Sequence, residues 1–160
     1  MPVPKSVMKI KVKQGQSTLE FTSSVDRVNY TLKELIRRAN MDVGRFLISE
    51  IRRKVRAINR YTKKGQNIPK RYQYWARKKE GDLIIGVEKT SEGAVSAWWA
   101  DQAEIGSDGQ PKRAFIQETV RDNIDRIREI QSQYLSAINN EAEAVAIAEE
   151  TEQMPETDDN

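Results

Sequence analysis

A long apolar stripe between residues 25 and 58 constrains the fold of this chain more than any other feature. Its members recur in steps of three and four, the spacing of one helix face, at positions 25, 28, 32, 35, 36, 39, 43, 47, 51, 55 and 58. Unbroken to about residue 60, the helix would be on the order of 50 Å long. The segment 40–44 predicts a kink or a break, because it contains Gly44 and glycine is costly inside a helix.

The other periodic segments predict strands and a second helix. Apolar and lysine residues alternate over 8–12, and residues 18–21 are a candidate partner strand. Residues 83–87 predict a buried strand. Residues 94–99 predict a second strand that pairs with the first to form a hairpin. A second helical stripe occupies 116–138. The predicted fold class is therefore α+β, with a small antiparallel sheet (N-terminal strand plus hairpin) packed by two long helices.

Charge is distributed very unevenly along the chain. Residues 27–79 hold 17 Lys and Arg against three acidic residues, whereas residues 141–160 hold eight acidic residues and no basic one. The length of 160 residues suits one hydrophobic core. We therefore predict a single α+β domain over 1–140 and an acidic tail over 141–160. The tail could extend the second helix for a few turns, after which it is too acidic and too poor in apolar residues to fold alone. Such segregation predicts polyanion contact, self-screening by the tail, or docking between oppositely charged faces.

Composition argues against several kinds of chemistry. The chain has no Cys and no His, and therefore lacks cysteine nucleophiles, the commonest general base and the commonest transition-metal ligand. The carboxylates Asp101, Glu104 and Asp108 cluster in sequence but offer no evident acid–base pair or ligand loop. No apolar run reaches the roughly 20 residues of a membrane span, and the first residues lack the apolar centre of a secretory signal. We expect a protein of a cytosol-like compartment with no catalytic residue, metal or cofactor.

The basic region supplies the first candidate contact surface. Its members are Arg52, Arg53, Arg56, Arg60, Lys63 and Lys64, with Lys70 and Arg71 nearby. Positions 52, 56, 60 and 63 would form one stripe on a helix, which could follow a phosphate backbone. Four interpretations remain open: a solvated face, a docking face for acidic protein, a wall that lies near nucleic acid, and a true nucleic-acid site within 45–79.

The adjacent tryptophans Trp98 and Trp99, just before a turn rich in Gly, Ser and Asp, supply the second candidate surface. On the predicted strand the two neighbours would point to opposite faces, leaving one ring under the helices and the other outward. An exposed tryptophan is typical of a partner surface. Coverage of both rings by flanking helices is the alternative.

Residues 98–116 also carry a resemblance to a known family. The pattern is Trp99-Ala100, then Glu104-Ile105-Gly106, a short loop from Ser107 to Lys112, and Arg113-Ala114-Phe115-Ile116. In this pattern and in its order of elements over about 8–138, the chain resembles the tail-completion (neck, head–tail connector) proteins of long-tailed bacteriophages, often described as minor tail components.

The resemblance implies a structural virion protein rather than an enzyme. Such a subunit would form a homo-oligomeric ring, with six copies expected, between the connector or portal side and the tail-tube side, with non-specific contact to packaged DNA and no membrane contact. Assembly would take place in the host cytoplasm. The implied partner-binding residues are Trp98, Trp99, Glu104, Gly106, Asp108, Arg113 and Phe115. The alternative function is a small nucleic-acid-binding module that uses the basic region.

Overall fold

The structure, a computed structural model, describes residues 8–14, 17–23, 25–58, 67–78, 80–89, 94–107 and 111–152. Within them lie four strands and five helices. The strands are β1 (Met8–Gln14), β2 (Ser17–Ser23), β3 (Tyr72–Ala76) and β4 (Leu83–Val87). The helices are α1 (Val25–Arg56), α2 (Ala94–Ile105), α3 (Phe115–Asp122), α4 (Ile124–Ser136) and α5 (Glu141–Glu152). The predicted α+β class is confirmed.

The long helix predicted from the apolar stripe exists, but it has no break at residues 40–44. α1 runs for 32 residues without interruption, about 48 Å at the α-helical rise. Gly44 is buried in α1 because the ring of Tyr74 in β3 packs on it: a Cβ at this position would lie 2.7 Å from Cγ of that ring. The glycine therefore permits the close approach of β3, and the prediction of a break is wrong.

The strands form two separate antiparallel pairs. β1 pairs with β2 in a register that places Ile10 opposite Phe21, which confirms the predicted N-terminal pair. β3 pairs with β4, with Tyr74 opposite Ile85. The prediction that 83–87 pairs with 94–99 is therefore wrong, and the N-terminal strand does not join that hairpin.

The segment 94–99 belongs to α2 and not to a strand. A short apolar run fits either structure by periodicity alone, and here the alanines decide the outcome. Ala97, Ala100 and Ala103 recur every three residues and are all buried. Alanine has the highest helix propensity, and its small side chain lets α2 approach the core closely.

The C-terminal stripe is divided between two helices. α3 ends at Asp122, and the amide of Asn123 donates from its side chain to the carbonyl of Thr119 at 2.8 Å. This side-chain bond competes with the regular helical ladder at the boundary between α3 and α4. The prediction of one continuous helix over 116–138 is therefore wrong, although most of that segment is helical.

The first part of the predicted acidic tail forms α5, which packs against α1 through buried Ala144, Ala148 and Thr151. Arg37 of α1 donates to the backbone carbonyl of Thr151 at 3.0 Å and pairs with Glu34 at 3.3 Å. Residues 153–160 of the predicted tail lie outside the described residues. The boundary at residue 140 remains a prediction.

The main core lies at the second half of α1. Ile48, Ile51 and Val55 pack there with Ile68 of a short 3-10 turn and with fully buried Tyr72. Ala100 and Ala103 of α2 and Phe115 of α3 complete this cluster. Among the helices that the structure describes, none is long and apolar enough to cross a membrane.

Candidate protein-contact surface

The corner between α2 and α3 is held by Glu104. Its carboxylate accepts from the hydroxyl of Tyr72 at 3.0 Å and from the backbone N–H of Ile116 at 3.2 Å. The second bond satisfies a free donor in the first turn of α3, as a capping side chain does. Glu104, predicted as a partner-binding residue, is thus engaged within its own chain, where it connects the start of α3 to β3.

Burial raises the pKa of Glu104, because the charged form loses water. The bonds from Ile116 and Tyr72 act in the opposite direction by stabilising the carboxylate. Burial is the larger effect. The carboxyl group is therefore harder to ionise in the folded chain than in water, and this follows from its position in the corner.

Gly106 and Arg113 shape the turn that leads into α3. Gly106 has φ +87°, a conformation that side chains rarely adopt, and an added Cβ would lie 3.1 Å from Cβ of Lys112. The backbone N–H of Arg113 donates to the carbonyl of Ala103 at 2.7 Å, while its side chain is exposed. Phe115 is buried and meets Tyr72 edge-on. Asp108 lies outside the described residues.

The two tryptophans lie on α2, so the strand-based argument for their orientation is wrong. Trp99 is partly buried and packs against the core, whereas Trp98 is 53% exposed. Their rings meet edge-on with centroids 4.8 Å apart, within the range of favourable aromatic pairs. The expectation of one ring covered and one ring outward agrees with this placement. The edge-on contact with Trp99 supports the exposed ring of Trp98.

Trp98 belongs to an exposed apolar stripe, the α2 stripe, composed of Val95, Trp98 and Ile105. Their spacings of three and seven place all three on one side of α2, and Ile105 is 73% exposed. Sequence reasoning did not group these three residues, because the strand predicted over 94–99 would place Val95 and Trp98 on opposite faces and would end before Ile105. A helical reading of 94–105 could have found them from the same spacing.

Three members of the basic region, Arg52, Arg53 and Arg56, lie on α1 within the described residues, and not all of them are open to solvent. Arg52 is half-buried and donates to the carbonyl of Tyr72 at 2.9 Å, so it joins α1 to β3. Arg53 pairs with Glu50 at 2.5 Å. Arg56 is exposed in the last turn of α1. Arg60, Lys63 and Lys64 lie outside the described residues.

Burial and the nearby charge of Arg56 lower the pKa of Arg52. Lys54, which belongs to the same basic run, forms an ion pair with Asp122 of α3 at 2.6 Å. The hydrogen bond of Arg52 to Tyr72 and the ion pair of Lys54 with Asp122 thus connect basic side chains of α1 to β3 and α3. Part of the basic run therefore has an internal role.

No acid–base constellation assembles around the predicted carboxylate cluster in the part of the chain that the structure describes. Asp101 pairs with Lys89 at 2.6 Å, whereas Glu104 is occupied as described above. Within the described ranges, no group of three or more His, Cys, Asp or Glu side chains could hold a metal ion. The α2 stripe is thus the candidate site with the clearest chemical character, that of a protein-contact surface.

No family model, curated protein or solved structure matches this chain.

Proposed function

We propose that the protein is a non-enzymatic assembly subunit that acts through protein–protein contacts, with the α2 stripe as a principal contact surface. The observation that carries this proposal is the braced, half-exposed ring of Trp98 between two exposed aliphatic side chains of the same helix. Large aromatic side chains concentrate in interface cores and dominate binding energy. A ring held in place before binding loses little conformational entropy when it binds.

The resemblance of residues 98–116 to phage tail-completion proteins gives the proposal a specific form. We infer a subunit of the ring between the head and tail of a long-tailed bacteriophage, with copies of itself and the proteins on the portal and tail-tube sides as partners. The packing of residues 98–116 supports this inference, because four residues of the family pattern each have a structural role in one corner of the fold. Ala100 is buried, Glu104 caps α3, Gly106 makes the turn and Phe115 enters the core.

The nucleic-acid alternative receives less support from the contacts of the basic residues. Arg52 and Lys54 are engaged with neighbouring elements, and Arg53 has an acidic partner. A protein that neutralises several phosphates needs its basic side chains free to reach them, and its affinity then falls steeply with salt. Fluorescence anisotropy with a labelled duplex of about 25 base pairs at two salt concentrations measures this directly.

A complementation experiment in the phage that carries the gene tests the assembly function. Wild-type protein supplied in trans to a phage lacking the gene is expected to appear in purified particles and to restore joined heads and tails. Trp98→Asp is expected to leave heads and tails separate, because a charge in an apolar interface is not compensated. Electron microscopy of lysates and mass spectrometry of particles give the readout.

The matched control is Gln117→Asp, which introduces the same charge on the exposed surface of α3. Asp is favourable in the first turn of a helix, so this variant is expected to fold and to restore assembly. Absence of the wild-type protein from particles, or full rescue by Trp98→Asp, would contradict the proposal. Salt-sensitive nanomolar duplex binding without any assembly defect would favour the nucleic-acid module.

A further inference from the structure

The hydrogen bonds between β3 and β4 determine which backbone groups of β4 point away from β3. At one end of the pair, the N–H of Glu88 donates to the carbonyl of Arg71 at 2.7 Å. At the other end, the N–H of Arg77 donates to the carbonyl of Asp82 at 3.0 Å. Because bonded and non-bonded residue pairs alternate in an antiparallel ladder, every second residue of β4 directs its N–H and C=O groups outward. These residues, which we call the β4 edge, are Leu83, Ile85 and Val87.

The outer edge of β3 is covered, whereas the β4 edge is free. The carbonyl of Tyr72 in β3 points outward by the same alternation, and Arg52 of α1 donates to it at 2.9 Å. Among the described residues, no hydrogen bond from another element reaches the backbone groups of the β4 edge. β4 also contains no Lys, Pro or bulge, which are devices that protect a sheet edge. A row of unpaired backbone groups fits one kind of occupant, an extended strand.

We propose that the β4 edge pairs with the β4 edge of a second copy of this chain, antiparallel and centred on Ile85. In this register Leu83 stands opposite Val87 of the second copy, so all outward backbone groups of both strands find partners. A shift by one residue would place outward groups opposite inward ones. A shift by two residues would leave one of the three outward positions without a strand partner. The product is one four-stranded sheet in the order β3–β4–β4–β3.

The side chains on the outer face of the sheet favour the same register. Ile84 is 40% exposed, and it would stand opposite Gly86 of the second copy, which has no side chain to oppose it. The ring of Trp75 lies beside Gly86, since a Cβ at that glycine would be 3.5 Å from Cζ3 of the ring. Each Ile84 would therefore lie over a glycine and next to an indole. Pairing thus removes exposed apolar surface from both copies.

The contact is isologous, because both copies contribute the same strand, and it closes after two chains. It is separate from the α2 stripe and does not depend on the proposed assembly function. A single strand of five residues makes a contact at the small end of protein interfaces, where transient pairs are found. We therefore expect the α2 stripe to dominate self-association in dilute solution, and β4 pairing to be measured at high protein concentration.

Backbone NMR of the full-length chain tests the pairing without a change in β4. Trp98→Ala is used, so that the α2 contact is weakened. Between about 20 µM and about 1 mM protein, the amide signals of the β4 edge are expected to shift and to gain protection from hydrogen exchange. The amides of Ile84 and Gly86, which already bond to β3, are the internal control and should keep their protection. Equal behaviour of both sets of amides, or no change up to about 1 mM, would overturn the proposal.

Disulfide trapping tests the register, because the natural chain has no cysteine. Ile84→Cys and Gly86→Cys are introduced singly, one protein carries a mass tag, and the mixture is oxidised. Opposite non-bonded positions have Cα atoms about 4.5 Å apart, within the range of disulfides, so the mixed disulfide is expected in clear excess. Arg121→Cys, at an exposed site of α3, replaces Gly86→Cys in the matched control and should give background yield. Dominant homodimers through position 84 or 86 would show another register and contradict the proposal.

Two blocking variants complete the test. Leu83→Pro removes an outward N–H that β3 does not use, and proline is tolerated at the first residue of an edge strand. Ile84→Lys places a charge in the apolar contact, and Ile36→Lys, at an isoleucine of α1 that is 43% exposed, is its control. Each blocking variant is expected to weaken the concentration-dependent pairing at least about 10-fold, whereas Ile36→Lys should leave it unchanged. Undiminished pairing in both blocking variants would overturn the proposal.

Discussion

At the scale of single residues, Gly44 is required by its neighbour rather than by backbone flexibility. It lies inside α1, where glycine costs about 1 kcal/mol relative to alanine, and the ring of Tyr74 occupies the space that a Cβ would need. The helix thus tolerates a poor helix former in order to bring β3 close. The gain is tight packing between α1 and the β3–β4 pair.

Gly44→Ala is therefore expected to destabilise the fold, although alanine favours helices. The added Cβ would lie 2.7 Å from Cγ of the Tyr74 ring, so the cost belongs in the upper part of the usual overpacking range of roughly 1–3 kcal/mol and outweighs the propensity gain of about 1 kcal/mol. The measurement is urea unfolding followed by circular dichroism. Ser49→Ala on the exposed side of α1 is the control and should be neutral or stabilising. The overpacking explanation fails if Gly44→Ala raises stability, or if replacing Tyr74 with Leu does not relieve the defect.

Glu104 predicts a pH-dependent contribution to stability. Because burial raises its folded pKa above the ordinary value of 4.5, the folded state binds the proton more tightly than the unfolded state. The unfolding free energy of the wild type, relative to Glu104→Gln, should therefore fall as the pH rises from 4.5 through the raised pKa. Unfolding curves of both proteins over this range provide the measurement.

Tyr72→Phe is the control for this pH effect. It keeps the carboxyl group and removes one hydrogen bond that favours ionisation, so the pH window should widen toward higher pH. Profiles of wild type and Glu104→Gln that run parallel over the whole range would refute the assignment.

At the scale of elements, α5 is attached to α1 by small side chains and by one buried charge cluster. Arg37 and Glu34 are 3% and 4% exposed, and Arg37 also reaches the carbonyl of Thr151 in α5. Alanine burial provides little apolar area. The guanidinium therefore defines where the last turn of α5 lies on α1, since it bonds to a backbone atom there.

Arg37→Met is expected to cost about 3–5 kcal/mol, because Glu34 would remain buried without its cation. Exchange of both residues, Glu34→Leu with Arg37→Met, should recover most of that loss. Thermal and urea unfolding of the full-length chain give the free energies. Arg126→Met, which breaks the exposed pair with Glu129, is the control and should change stability by less than about 1 kcal/mol. A loss of similar size in both single variants would show that burial is irrelevant.

At the scale of the whole molecule, charge and apolar surface predict two different modes of self-association. The acidic stretch 141–160 and the basic stretch 27–79 could attract one another between copies, whereas the exposed α2 stripe would associate through apolar contact. Salt separates these modes, because screening weakens charge attraction and sulfate strengthens apolar burial.

We expect self-association, measured by sedimentation velocity, to persist between about 50 mM and 500 mM NaCl and to strengthen in sulfate. Trp98→Ala should remove it at every salt concentration, while Gln117→Ala should leave it unchanged. Association that disappears at about 500 mM NaCl and is insensitive to Trp98 would assign the contact to the charged segments instead.

The sequence by itself determined α1, because a stripe of eleven apolar residues at helical spacing matches an α-helix and no other regular secondary structure. It also determined the β1–β2 pair, where strict alternation is a local signal. These elements need no information about distant residues. The residues of the corner, Glu104, Gly106 and Phe115, could also be selected from sequence, although their internal roles could not.

The tertiary structure alone decided the rest. Residues 94–99 fit a strand or a helix locally, and burial of Ala97, Ala100 and Ala103 against the core selected the helix. The packing of α2 turned Trp98 outward, and the packing of β3 on α1 placed Gly44 under the ring of Tyr74. The physical reason is that short apolar runs and single glycines carry no preference strong enough to oppose packing, so elements distant in sequence settled both.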